Sequence, residues 1–466
     1  MVRLVLRMQV ELEELKADNA QLRADNARLQ AQVSKLSKNS STSSKPPSSD
    51  IVKPKKTPAK KGGKKRKIGG QPGHPRYERK PLAPEEIDEV VEYRVPECPD
   101  CGGELVDESV RAIQQIELVE KPTWASEHRG IAGWCPGCET VHEPALPGAV
   151  EQGGLFGPRL TALVAYQKGH AHASYTTIQD FLGDVIGVDV STGYLAKLIG
   201  KASVALKAPY DELLDALPRE DVLNVDETGH KDLGKKHWTW CFRALLFVLF
   251  KIDARRSSEV LIEVLGKEFK GVIGADYFSA YHKYMRSFNV LVQFCLAHLI
   301  RDVKYLTTVP DKVTQNYGNR VLDNLRALFK VIHRRERMKA ATFQQALERA
   351  RDDLIKTARR APARREPQNM AKRFSKKSAP AYFRFITTPG VAPTNNLAEQ
   401  AIRFVVIDRR ITQGTRGERG QRWSERIWTT MATCTQQGRS VFDFLHAALL
   451  ARFEGTAAPS LLPEHG

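Results

Sequence analysis

The sequence has no uninterrupted apolar stretch near the roughly 18 to 20 residues that a membrane-spanning helix needs. Its longest apolar run, residues 244–250, has only the length of a strand. The few apolar residues at the start give way to a charged helical repeat, which is wrong for a secretory signal. Acidic residues are in short supply. There are 54 Asp+Glu against 72 Lys+Arg, which leaves +18 with His neutral. That deficit favours a polyanionic partner, nucleic acid ahead of a membrane surface. Cysteine is sparse, at seven in 466 residues, and the number is odd. A disulfide framework is therefore a poor reading, and the expected setting is a reducing one, a soluble protein of the cytoplasm with no membrane partner. The 41% of hydrophobic residues is enough for a sizeable core, and 466 residues are more than one ordinary domain needs.

Along the chain the pattern changes several times. In residues 1–37, Leu15, Leu22, Leu29 and Leu36 recur every seventh position, with Leu12, Asn19, Asn26 and Val33 on the alternate seam. Leu on one seam and Asn on the other predicts a short parallel two-stranded coiled coil, because a buried Asn pair fixes register and strand number. A single amphipathic helix is the rival, but the polar tract that follows offers it no packing partner. Residues 38–80 are a linker, first Ser-rich and then basic, too polar to bury a core. Its run of cations includes Lys60, Lys61, Lys64, Lys65 and Arg66, with no acid between residues 53 and 67. Such a run is usually a solvated tail; beside other DNA-binding signs it reads as a sequence-independent phosphate clamp.

Residues 81–150 hold Cys98-Pro99-Asp100-Cys101 and Cys135-Pro136-Gly137-Cys138. Two such knuckles suit a closed four-sulfur structural zinc site better than redox chemistry, with short strands expected around Ile113, Ile116, Leu118 and Val119. Residues 151–215 turn helical. A helix over 177–185, a turn at Gly187 and a helix capped by Ser191 or Thr192 outline a helix-turn-helix, a shape that also occurs without DNA. Residues 216–310 read as strands with an intervening helix, hence a mixed α/β sheet. Residues 311–390 are helical and basic, and residues 391–466 open with a helix capped at Thr394 or Asn395 that carries Glu399.

Two apolar runs, 222–226 and 272–276, end in carboxylates, Asp226 and Asp276. A strand end holds a carboxylate firmly and leaves it open to substrate. If the strands are neighbours, the two charges converge and call for a cation, for which oxygen ligands favour Mg2+ or Mn2+. Glu399 would complete a pair of metal sites about 3.5 to 4 Å apart, suited to phosphodiester chemistry. Spacing alone leaves these three as candidates, since an Asp at a strand end is more often a cap.

The flanking motifs add to this. Val225-Asp226-Glu227-Thr228, Ala275-Asp276-Tyr277, Cys295-Leu296-Ala297-His298 and the run from Thr394 through Asn395, Asn396 and Glu399 to Arg403 together resemble the transposases of the insertion-sequence-66 family. So do the leucine repeat, the Lys45-Pro46-Pro47-Ser48-Ser49-Asp50 segment, Gly69-Gly70-Gln71-Pro72-Gly73-His74 and the paired knuckles, in the expected order over nearly the whole chain. Gln400, where relatives often carry Arg, departs from the pattern. The resemblance implies a ribonuclease-H-like catalytic domain interrupted by a helical insertion. Asp226 would lie on its first strand, Asp276 after its fourth, and Glu399 on a helix beyond the insertion. These three would be the catalytic ligands of two Mg2+ or Mn2+ ions, with Cys98, Cys101, Cys135 and Cys138 holding Zn2+. His298 would contact DNA near the scissile phosphate or serve as a hydrogen-bonded helix-start histidine. Arg403 would bind phosphate or pair with Glu399. The implied activity is cleavage and strand transfer of an insertion sequence bound at its terminal inverted repeats. The implied partners are those repeats, target double-stranded DNA, a second copy through the coiled coil and small accessory proteins of the same element, at the nucleoid. The alternative is a catalytically inactive DNA-binding regulator derived from a transposase.

Overall fold

The computed structural model describes residues 2–36, 81–94, 99–102, 112–116, 118–119 and 122–463. The basic linker with Lys60, Lys61, Lys64, Lys65 and Arg66 lies outside them, as does Cys98. The chain divides into two compact units, residues 55–126 and the remainder. In the smaller unit, the backbone of Leu82 is bracketed by the Gln114 amide, which accepts from its N–H at 2.6 Å and donates to its carbonyl at 3.1 Å. The Ile113, Ile116, Leu118 and Val119 side chains are exposed. No strand forms there among the described residues. Alternation without a surface to pack on does not hold a strand.

The larger unit begins with α1 (Val2–Leu36), one uninterrupted helix whose seam residues Leu12, Leu15, Leu22, Leu29 and Val33 are exposed. Strands do form at the second cysteine pair, where β1 (Gly133–Cys135) pairs antiparallel with β2 (Thr140–His142). Helices follow as α2 (Gly148–Gly153), α3 (Pro158–Gly169), α4 (Tyr175–Phe181), α5 (Thr192–Ala205) and α6 (Lys207–Ala216). The Ser174 and Ser191 hydroxyls cap α4 and α5 by accepting from the Thr177 and Tyr194 N–H groups. The helix expected over 177–185 starts earlier, at this cap, and loosens into a π-turn over Leu182–Ile186 that ends on Gly187 at φ 73°.

The sheet follows as β3 (Val222–Asp232), β4 (Lys235–Arg243), β5 (Val248–Asp253), α7 (Ser258–Leu265), β6 (Val272–Ala275), α8 (Ser279–Phe288) and β7 (Leu291–Phe294). The strands lie in the order β5-β4-β3-β6-β7. β3 to β5 are antiparallel, while β6 and β7 join β3 in parallel through crossovers. After the sheet come α9 (Leu296–Leu306), the insertion helices α10 (Lys312–Ile332), α11 (Ala340–Arg359), α12 (Arg365–Arg373) and α13 (Arg384–Thr387), and then α14 (Asn396–Thr412), α15 (Glu418–Gln437) and α16 (Val441–Glu454). The chain is thus a mixed α/β, multidomain protein. α16 packs on α2, α3 and α5, so the helices before the sheet share a core with those that end the chain.

α15 closes the free edge of β5. The N–H groups of Val248, Phe250 and Ile252 donate to Thr433 Oγ1 at 3.1 Å, Thr429 Oγ1 at 3.0 Å and Glu425 Oε1 at 2.7 Å. Four residues of helix rise about 6 Å and two residues of strand about 6.7 Å, so the two series stay in step. An open edge would invite pairing with another chain, and here its donors are already taken.

Candidate active site

Asp226 lies in the interior of an 11-residue strand and does not end it. The parallel partner β6 pairs only with Val222 to Asn224, whereas β4 accompanies β3 to Asp232. Asp226 therefore sits just past the point where β3 loses its parallel neighbour, and that gap opens the strand towards the site. Asp276 follows the last residue of β6, where its Oδ1 accepts from the Phe278 N–H at 3.0 Å. Burial raises the Asp226 carboxyl well above its ordinary range, and the charges of Glu227, Asp276 and Glu399 push it the same way. Burial raises Asp276 as well, against the pull of His298. Among the described residues neither Asp226 nor Asp276 has an ion-pair partner.

Asn395 ties Glu399 to this strand. Its amide nitrogen donates to the Val225 carbonyl at 2.8 Å, its amide oxygen accepts from Asn224 at 2.9 Å, and its backbone N–H reaches Cys295 Sγ at 3.2 Å. The side chain expected to cap α14 therefore binds β3 instead. Gly274 makes this approach possible, since a Cβ there would fall 2.5 Å from Asn224 Nδ2. One helical turn later, Glu399 faces His298 Nδ1 at 3.5 Å and Arg301 at 3.6 Å, both on α9. Burial, then the charge of Arg301, holds His298 below the ordinary imidazole range.

A fourth carboxylate lies beside the triad. Glu227 is buried, accepts from Tyr281 Oη at 2.6 Å and pairs with Arg256 at 2.6 Å. Burial and the charge of Asp276 push it up to about 7, against Arg256 and Tyr281. Arg256 is stacked over Phe278 at 4.0 Å. The insertion is fastened close by, where Arg373 of α12 pairs with Asp302 of α9 at 2.7 Å and lies over Tyr277, the neighbour of Asp276.

The model of the transposase IS66 family matches residues 153–422, more than half of the chain and the whole of this site. The chain belongs to that family. An uncharacterised protein, y4qI, of Sinorhizobium fredii (strain NBRC 101917 / NGR234) is 24% identical over 407 residues, which is 81% of this chain and 74% of that one. Residues 6–80 match a family of unknown function. Family membership brings transposase function and DNA as its substrate, in a family that generally uses divalent metals.

In this transposase the structure brings Asp226, Asp276, Glu399 and His298 to one place. Arg403 is exposed on α14, and among the described residues the ion pairs of Glu399 go to His298 and Arg301 rather than to Arg403. Cys135 and Cys138 flank the β1–β2 turn, where the Cys138 N–H, the Cys138 thiol and the Gly137 N–H hold the Cys135 thiol below its ordinary range. Cys138 Sγ lies 3.6 Å from His142 Nε2. Cys101 lies on a turn of the smaller unit. Sequence reasoning missed Glu227, Arg256, Tyr281, Arg301 and the anchoring role of Asn395. The available signal was Glu227 itself, an acid next to the apolar run that ends at Asp226, which needs a partner wherever it is buried.

Proposed function

We propose that this chain is an Asp-Asp-Glu transposase that cleaves and rejoins DNA with Asp226, Asp276 and Glu399 as ligands of two Mg2+ or Mn2+ ions. The observation that carries the reading is the pair of partly buried, desolvated carboxylates, Asp226 and Asp276, without an ion-pair partner among the described residues. Several oxygen donors crowded in a dry place are stable as anions only around a hard divalent charge. Bound there, the ions would activate water or a 3′-hydroxyl and neutralise charge on the leaving oxygen. Hydrolysis forms a bond from water oxygen to phosphorus and breaks the bond to the 3′ oxygen. The freed 3′-hydroxyl then attacks a target phosphodiester, forming a new oxygen–phosphorus bond as the bond to the target's own 3′ oxygen breaks and that oxygen leaves as a hydroxyl. Asn395 sets Glu399 against β3, and Glu227 orients Arg256 and Tyr281 beside the carboxylates. His298 on α9 and Arg403, exposed on α14, contact the DNA backbone near the scissile phosphate. The strand order, with Asp226 on the first strand of the sheet, Asp276 after the fourth and Glu399 beyond the helical insertion, supports a ribonuclease-H-like core.

The other modules serve grip and assembly. Exposed seam leucines on α1 support a homodimeric coiled coil. N–H groups directed at Cys135 support a zinc knuckle at Cys135 and Cys138. The capped pair α4 and α5 supports a helix-turn-helix on the terminal inverted repeats, with the basic linker as a phosphate clamp. A protein that acts on chromosomal DNA would sit at the nucleoid, with accessory proteins of its element as further partners. Asp226→Asn is expected to abolish Mg2+-dependent cleavage and strand transfer of end-containing DNA while binding persists in a gel-shift assay. Cleavage retained by that variant overturns the assignment, and a wild-type protein that binds but never cuts is the inactive regulator.

A further inference from the structure

Where α14 meets α9, Glu399 converges with two side chains, Cys295 and His298, that two-metal phosphodiester chemistry does not require as ligands. Cys295 Sγ, a His298 ring nitrogen and a Glu399 carboxylate oxygen lie within 4.8 Å of one another. His298 is 8% exposed, and both its Nδ1 and the Glu399 Oε1 it faces are buried with no hydrogen-bond partner among the described residues. Their separation of 3.5 Å is too long for a good hydrogen bond. It does match two ligands of one ion. Tetrahedral bonds of about 2.0–2.1 Å set nitrogen and oxygen about 3.4 Å apart, and a sulfur at about 2.3 Å lies about 3.6 Å from either.

The donor set selects the ion. A thiolate is a soft ligand, so sulfur, imidazole and carboxylate together favour Zn2+ over Mg2+. Thiolate and carboxylate bring two negative charges against two positive ones, which leaves a buried site neutral. Three protein ligands leave a fourth position for water.

We propose that Cys295, His298 and Glu399 form a binding site for a thiophilic divalent cation of the Zn2+ class, which withdraws Glu399 from the catalytic ions and switches the transposase off. On loading, the sulfur–metal bond forms as the Cys295 thiol proton leaves to solvent. The ring proton of His298 rests on Nε2, so Arg301 gives up its 3.3 Å contact with that nitrogen. The binding claim stands on these distances alone. The inhibitory claim rests on the catalytic site proposed above.

The test uses the full-length protein with its knuckle zinc in place, titrated with Co2+ as a spectroscopic substitute for Zn2+. The wild type is expected to take up one further ion and to show a thiolate-to-cobalt charge-transfer band that Cys295→Ser lacks. Equilibrium dialysis is expected to show zinc affinity at this site reduced by more than about tenfold in that variant. The serine keeps an acceptor for the Asn395 N–H, and a thermal melt matching the wild type shows that the fold survives. In Mg2+-dependent cleavage, added Zn2+ is expected to inhibit the wild type and to spare Cys295→Ser, each relative to its own zinc-free rate. An identical cobalt spectrum in both proteins overturns the site. A Cys295-dependent band with cleavage indifferent to zinc overturns the switch. A protein that never cleaves refutes the catalytic reading and leaves the cobalt result to decide the site.

Discussion

Asn395 shows how much of the site hangs on one amide. It donates to a β3 carbonyl, accepts from a second buried amide, and starts the helix that carries Glu399. Replacing it with alanine strands the Asn224 amide and the Val225 carbonyl in a dry interior, at about 1–3 kcal/mol for a buried group left unsatisfied. Asn395→Ala is therefore expected to lower the midpoint of chemical denaturation and to reduce the cleavage rate by more than it weakens DNA binding. Single-turnover cleavage and a binding isotherm on the same variant separate the two effects. An equal loss in both would mean that Asn395 stabilises the fold without positioning Glu399.

At the scale of elements, the long β3–β4 hairpin is clasped by the segment that follows α14. His230 on β3 donates from Nε2 to the Thr415 hydroxyl at 3.0 Å, and that hydroxyl donates to Asp232 at 2.7 Å. Thr415 reaches this position because Gly414, at φ 98°, brings the chain against the Lys231 carbonyl, where a Cβ would fall 2.2 Å away. Burial, with the charge of His237 next, drops His230 from 6.5 to about 4. The folded state holds this ring neutral, so below pH 6.5 the unfolded chain binds the extra proton. Stability is fully present above pH 6.5 and is lost as pH falls towards about 4. His230→Gln is expected to flatten the melting temperature against pH across that window, leaving the share of His282, which is also lowered to about 4. An unchanged slope would refute the assignment to His230.

The same elements show what a sequence can and cannot display. β6, β7 and α14 were legible because their apolar runs and periodicity are local. β3 was read as ending at Asp226, because polar residues follow and the pairing that sustains it comes from β4 on one side only. Among the three carboxylates, residue type and flanking motif pointed to side chains that the fold brings near one another. Glu227 was passed over because its partners, Arg256 and Tyr281, are 29 and 54 residues away. The link from Asn395 to β3 spans 170 residues, and no spacing rule reaches that far.

For the whole molecule, the +18 charge is not spread evenly. In the insertion, Arg351, Arg359, Lys376 and Arg384 line a groove of about 340 Å³ between α11 and α13, with no acid among its lining residues. The buried Nε of Arg384 has no hydrogen-bond partner among the described residues. A groove whose only charged lining residues are cations suits a backbone phosphate. Lys376→Ala with Arg384→Ala is expected to weaken DNA binding across all sequences and to reduce the slope of log affinity against log salt by about 2. A fluorescence-anisotropy titration at several salt concentrations reads that slope, and an unchanged value would place the DNA elsewhere.

The ladder from α15 to the edge of β5 also bears on how the chain is made. Strand β5 leaves the ribosome well before Glu425, Thr429 and Thr433 exist, since these partners lie 173 to 185 residues later. Through that interval the nascent sheet has an edge with free donors, open to a neighbouring chain on the same messenger. A transposase truncated before α15 would carry that exposed edge permanently. Premature termination of this gene thus yields an aggregation-prone fragment, not a smaller version of the enzyme.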